Sequence, residues 1–141
     1  MNIDTWNIDT WEMDELKINA ITAYLLAKPE AEECYPFDAQ TAVFKVQGKV
    51  FALLIHKQKM RLLNVKCDPE QAIELRDVFT DVMPAYHMNK RHWNSIVLSG
   101  SLPIGEVQRQ VDHSYGLVVK GLKRSIREGL EVRHGSSVLY R

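Results

Sequence analysis

Between residues 42 and 66 the chain sets three strand-like stretches one after another, separated by turns too short for a crossover. Connections that short join only antiparallel neighbours, so this segment dictates an antiparallel sheet before anything else is read. In the first stretch Ala42, Phe44 and Val46 alternate with Val43, Lys45 and Gln47, the period of a half-buried strand. Gly48 supplies the turn. Val50 to Ile55 is unbroken apolar sequence, expected of a central strand covered on both faces. His56-Lys57-Gln58-Lys59 is a polar turn, and Met60 to Lys66 forms the third strand.

Helical periods flank this core. Residues 14–27 place Leu16, Ala20, Ala23, Tyr24 and Ala27 on one stripe, with Asp14 and Glu15 at the positive end and Pro29 as the stop. Glu30 to Asp38 reads as an acidic connector. Asp68-Pro69-Glu70-Gln71 has the residues of a helix start: a capping carboxylate, proline in the first turn and a glutamine able to reach back. Leu75, Val78, Phe79 and Val82 give that helix its apolar face, and Pro84 ends it. Residues 84–93 fit neither period. Asn94 to Ser99 alternates again, Gly100 turns the chain, and Pro103 opens a long helix striped by Ile104, Val107, Val111, Tyr115, Val118 and Leu122. The expected architecture is α+β and two-layered: an antiparallel sheet of four or more strands with helices packed against it.

A length of 141 residues suits one domain with its own core. We divide it into an extension (1–12), the domain proper (13–123) and a basic tail (124–141) expected to extend the last helix briefly and fray. The extension repeats Asn-Ile-Asp-Thr-Trp at 2–6 and 7–11, too short a unit for a repeat fold, and reads as a frayed tail unless Trp6 and Trp11 dock. No apolar run approaches bilayer length, and the start is not a signal peptide. Without an export signal Cys34 and Cys67 are expected to remain thiols in a cytoplasmic protein. Net charge is zero, but residues 1–40 carry nine acids and two bases whereas residues 41–141 carry sixteen bases and nine acids. The distinctive residues lie in the basic part.

Tyr86-His87-Met88-Asn89-Lys90-Arg91-His92-Trp93, followed by Leu98-Ser99-Gly100-Ser101-Leu102-Pro103, resembles the central signature of the MmcQ/YjbR family, and Ser114-Tyr115 its distal one. Lys28-Pro29, Pro36-Phe37, Phe44-Lys45-Val46, Lys49-Val50-Phe51 and Val65-Lys66 follow the family's order and spacing, so the resemblance spans roughly residues 16 to 122. Asp38 stands where relatives commonly carry glycine, and both termini depart from the family. The resemblance implies a YjbR-like fold and DNA binding of a double-wing type, with two hairpin loops flanking a duplex.

Three basic groups are candidate contacts. Lys45 and Lys49 flank one turn, and Lys57, Lys59 and Arg61 surround the next; such tips can hold phosphates or simply protect strand edges. Lys90 and Arg91 stand beside His92 and Trp93, a mixture suited to phosphate contact with base stacking. The competing reading makes Trp93 a core anchor and Asn89 a turn cap. Lys120, Lys123, Arg124 and Arg127 make a basic helix end, which also complements a helix dipole. The expected nucleic-acid contacts are therefore Lys45, Lys49, Lys57, Lys59, Lys90 and Arg91. No metal-ligand spacing, phosphate loop or nucleophile elbow occurs, so no catalytic residue, metal or cofactor is assigned. Cys67 is expected as a small apolar residue at a strand end. The expected protein is a non-enzymatic DNA-binding module without membrane contact; the alternative is a protein-interaction or homodimerisation module.

Overall fold

A computed structural model describes the backbone of residues 3–57 and 60–141, and the side chains of residues 14–56 and 60–141. Among the described residues six strands form one antiparallel sheet: β1 (Ala31–Cys34), β2 (Thr41–Val46), β3 (Lys49–Lys57), β4 (Met60–Lys66), β5 (Val82–Pro84) and β6 (Trp93–Val97). Their spatial order is β1-β2-β3-β4-β6-β5. The described residues also form five helices: α1 (Ile3–Leu26), α2 (Pro69–Val78), α3 (Ile104–Lys120), α4 (Arg124–His134) and α5 (Ser136–Leu139). The expected α+β layering is present. Strand residues of one parity, among them Ala42, Phe44, Leu54, Leu63 and Ile96, join helix residues Ile21, Leu25, Ala72, Val111 and Tyr115 in one core. The opposite parity faces away from the helices. β3 is central, with Phe51 through Leu54 buried.

The turn between β2 and β3 takes Gln47 (φ 49°) and Gly48 (φ 77°) through the left-handed region, the two-residue geometry that matches strand twist. A register shift between Phe44 and Lys45 leaves Phe51 unpaired with β2 and turns its ring into the core, 5.2 Å and edge-on from Tyr115. One step past the last β3–β4 pair, Ala52 with Val65, the α3 residue Ser114 enters the ladder. Its hydroxyl donates to the Phe51 carbonyl (2.6 Å) and accepts from the Lys66 amide (2.8 Å), bridging both strands to the helix.

Several expectations need correction. The buried face of α1 is Ile18, Ile21, Leu25 and the following Lys28, while Leu16 (66% exposed), Ala20, Ala23 and Ala27 face outward. Alanine removes little apolar area from water, so the larger Ile and Leu side chains decide which stripe is buried. The helix starts at Ile3, so Asp14 and Glu15 lie within it, and Glu15 meets Arg61 at 2.5 Å. The tandem repeat is helical in its backbone from Ile3; the Trp6 and Trp11 side chains lie outside the described residues.

The second helix stops at Val78, and Val82 belongs to a strand. Val78, Phe79 and Thr80 are poor helix formers, and Phe79 is already extended (φ −115°, ψ 119°). Asp68 caps α2 through Glu70 and Gln71 amides as expected. The acidic connector contains edge strand β1. The tail does not fray: α4 and α5 place Leu130 and Leu139 in the core at 0% and 1% exposure.

Candidate nucleic-acid interface

The sheet register fixes where each candidate cation stands. β3 runs from the Gly48 turn to Lys57, β4 returns from Met60 to Lys66, and Lys66 pairs with Trp93 at the start of β6. The β2–β3 turn and the 85–92 loop therefore share one end of the sheet. The β3–β4 turn occupies the opposite end. Lys45, Lys49, Lys90 and Arg91 fall at the first end. At the second, the Lys57 side chain and Lys59 lie outside the described residues. Lys45, Lys49, Lys90 and Arg91 thus share one end of the sheet, while the backbone of Lys57 closes β3 at the other.

Acidic residues reach the first end. Glu32 of β1 stands opposite Lys45 in register. Glu30, left-handed at φ 58°, accepts from Gln47 (2.7 Å) beside the turn and is clasped by Arg133 (2.8 Å) and His134 (2.7 Å) of α4. Hydrogen bonds from Arg133 and then His134 hold the Glu30 carboxyl down at about 2. Other basic residues are matched within the fold. Lys28, buried, pairs with Asp112 beneath the Tyr24 and Tyr115 rings. Arg109 pairs with Glu106 (2.7 Å) and Arg124 with Glu128 (2.8 Å). Lys120 lies 5.3 Å from the Tyr140 ring. Arg61, from the second hairpin, is held by Glu15 on the helix side. By contrast, among the described residues no ion pair engages Lys45, Lys49, Lys90 or Arg91.

The 85–92 loop is built by short-range bonds. The Ala85 amide donates to the Trp93 carbonyl, and the Asn89 side chain accepts from the Arg91 amide at 3.0 Å, the expected cap. Arg76 of α2 donates to Asn94 (2.7 Å) and to the Lys90 carbonyl, fixing the loop from the helix side. Lys90 Nζ lies 5.2 Å from the centre of the exposed Tyr86 ring. Trp93 is half-buried on the helix-free face opposite Lys66 and does not join the core, contrary to the anchor reading. Alternation along β6 explains this: Asn94 takes the helix-facing position and donates to the Ala72 carbonyl.

Residues 26–117 match the family model of YjbR. The chain belongs to the YjbR family. It is 34% identical over 113 residues to the uncharacterised protein YjbR of Escherichia coli strain K12, covering 80% of this chain and 96% of that one. It is 33% identical over 110 residues to the uncharacterised protein YbdF of Escherichia coli O157:H7, covering 78% and 88%. A crystal structure of a Deinococcus radiodurans protein, whose domain carries the family label DUF419, superposes with a TM-score of 0.74 at 33% identity over 80% of this chain and 86% of that one. A Pseudomonas syringae crystal structure superposes at 0.64 and 26% identity, covering 70% and 96%.

The YjbR signature residues have structural roles here. A Cβ on Gly100 would meet the Asp81 carboxylate at 2.3 Å, so only glycine lets Asp81 approach and accept from the Ser101 amide (2.8 Å). Leu102 is buried and its carbonyl receives Lys17 Nζ (2.9 Å). Tyr115 donates to the Pro29 carbonyl (2.6 Å), and burial raises its phenol pKa. Sequence reasoning missed Arg76, Asn64 and Ser95, which bear on the loop and the open sheet face; Asn64 and Ser95 were signalled only by polarity inside strands, and Arg76, in a charged helix, not at all. Cys67 is buried at the end of β4 as expected, and burial raises its thiol to about 11, so little thiolate forms near neutral pH. Among the described residues no group of three His, Cys, Asp or Glu side chains gathers as metal ligands would, and no helix is long and apolar enough to cross a membrane.

Proposed function

We propose that this YjbR-family chain is a non-enzymatic nucleic-acid-binding protein that holds phosphates through Lys45, Lys49, Lys90 and Arg91 at one end of the sheet and through Lys57 and Lys59 at the other. One observation carries the reading. Lys28, Arg61, Arg109, Arg124 and Arg133 each meet a carboxylate, and Arg76 and Lys17 are held by amide or carbonyl oxygens, yet the cations of the first turn and the 85–92 loop have no ion pair among the described residues, Lys90 meeting only the Tyr86 ring. Unpaired lysine and arginine on exposed turns suit sequence-independent phosphate contact, while Glu32 and Glu30 at the same end limit its strength. Binding of this kind falls steeply with salt, because each neutralised phosphate releases a counterion. Fluorescence anisotropy with labelled oligonucleotides tests it. Lys90→Ala with Arg91→Ala should weaken all sequences alike and reduce the log–log salt slope by about 2. No association above that of a neutral control protein at low salt refutes the proposal.

A second reading, a homodimer, is favoured by the outward stripe of α1. Leu16, Ala20, Ala23 and Ala27 recur every three or four residues and leave a helix face open to solvent. Light scattering coupled to size exclusion decides it: a dimer lost on Ala23→Glu supports the second reading, and a monomer at every concentration removes it.

A further inference from the structure

The helix-free face of the sheet holds a cavity of about 220 Å³ under the start of the 85–92 loop. Its walls are apolar: Ile55, Met60, Leu62 and Met83. Tyr86 and His87 stand at its mouth. The floor is polar, which is unusual in the middle of a sheet. Asn64 and Ser95 face each other across β4 and β6, each 5% exposed, and the Ser95 hydroxyl donates to the Asn64 carboxamide oxygen. Among the described residues, the Asn64 amide nitrogen donates only to the Met88 thioether, at 3.6 Å. Sulfur is a weak acceptor, so this buried donor is under-used. The carboxamide oxygen retains a second lone pair. No carboxylate lines the cavity. Lys90 does not line the cavity, but its Nζ lies 5.2 Å from the centre of the Tyr86 ring that does.

Resting on the nucleic-acid reading above, we infer that this cavity receives one unstacked nucleobase of the bound strand. Apolar walls and an aromatic mouth accept the flat faces of a base, as proteins that read extruded bases do. The Asn64 carboxamide presents a donor and an acceptor side by side, the pair that matches an adenine edge. Lys90 stands where the flanking phosphate leaves the cavity. The Asn64–Met88 contact is the one the base displaces. A thioether on an unbranched side chain moves at low cost.

The test uses the full chain and single-stranded oligo(dA) of eight residues, a strand of the same length abasic at every position, and free adenosine. Met60→Trp narrows the cavity from an exposed wall position (47% exposed) and should fold normally; Asn64→Leu removes the polar floor. Each is expected to weaken oligo(dA) about tenfold with the salt slope unchanged, and the abasic strand should bind wild type and Met60→Trp alike. Adenosine should shift the Asn64 side-chain amide resonances of wild type only. Equal oligo(dA) affinity for wild type and Met60→Trp, with no adenosine response, overturns the inference, even if Lys90→Ala/Arg91→Ala still lowers the salt slope and so keeps the phosphate reading. An adenosine response without strand binding retains the cavity assignment and removes that reading. Neither response removes both.

Discussion

Replacing Ser114 by alanine tests how α3 is joined to the sheet. The hydroxyl occupies the place where a β3–β4 hydrogen bond would continue, with Phe51 and Lys66 on either side. Truncation removes two hydrogen bonds and strands a carbonyl and an amide beside a residue that is 0% exposed. An unsatisfied buried polar group costs roughly 1–3 kcal/mol, so Ser114→Ala should lose about 2–4 kcal/mol. That is a large share of the ~5–15 kcal/mol holding a domain of this size. Urea unfolding followed by circular dichroism gives the free energy, and hydrogen exchange reports the Lys66 amide directly. The variant should show a lower midpoint at unchanged m-value and markedly faster exchange at Lys66. A loss below about 0.5 kcal/mol with Lys66 protection intact would mean that the strands close on each other without the hydroxyl. The bridging account would then be wrong.

Asp112→Asn leaves Lys28 a buried cation without a counter-charge and should cost roughly 3–5 kcal/mol, whereas Lys28→Met with Asp112→Asn should recover much of it; equal stability of the two variants in urea would refute the pairing. Glu30, held at about 2 when folded, contributes stability that is present above its unfolded value near ~4.3 and lost as pH falls toward 2. Arg133 is exposed and His134 half-buried, so solvent screening keeps the contribution below about 1 kcal/mol, and thermal melts between pH 6 and 3 should fall more steeply for wild type than for Glu30→Gln. With Ellman's reagent the half-exposed Cys34 should react and the native Cys67 should not; two equally fast thiols would contradict the burial of Cys67.

The strands from Thr41 to Lys66 were legible because alternation and short turns are local properties. So were the Asp68 cap and the stripe of α3. The outward turn of the α1 alanines was not, because composition marks alanine as apolar without saying that larger neighbours outcompete it. Strand β1 was hidden by its acids, tolerable only because it lies at the sheet edge with Glu32 and Glu33 exposed. The C-terminal helices looked like a solvated tail because two leucines, Leu130 and Leu139, carry their core contact. Of the site, the loop cations were visible as a basic aromatic stretch. Their placement beside Lys45 and Lys49, at the end of the sheet away from Lys57, was not, since it depends on strand direction. The Asn64–Ser95 floor was equally hidden, because two single polar residues thirty-one positions apart are joined only by register.

The nine residues of β3 set a ruler. Lys49 and Lys57 open and close the strand, and at about 3.3 Å per residue their backbones stand roughly 26 Å apart. Stacked bases advance about 3.4 Å, so a ligand touching both turns along this axis needs some eight steps. Shorter fragments can engage one turn at a time. Affinity plotted against oligomer length should therefore climb in two stages, with the break set by the dimensions of a single strand.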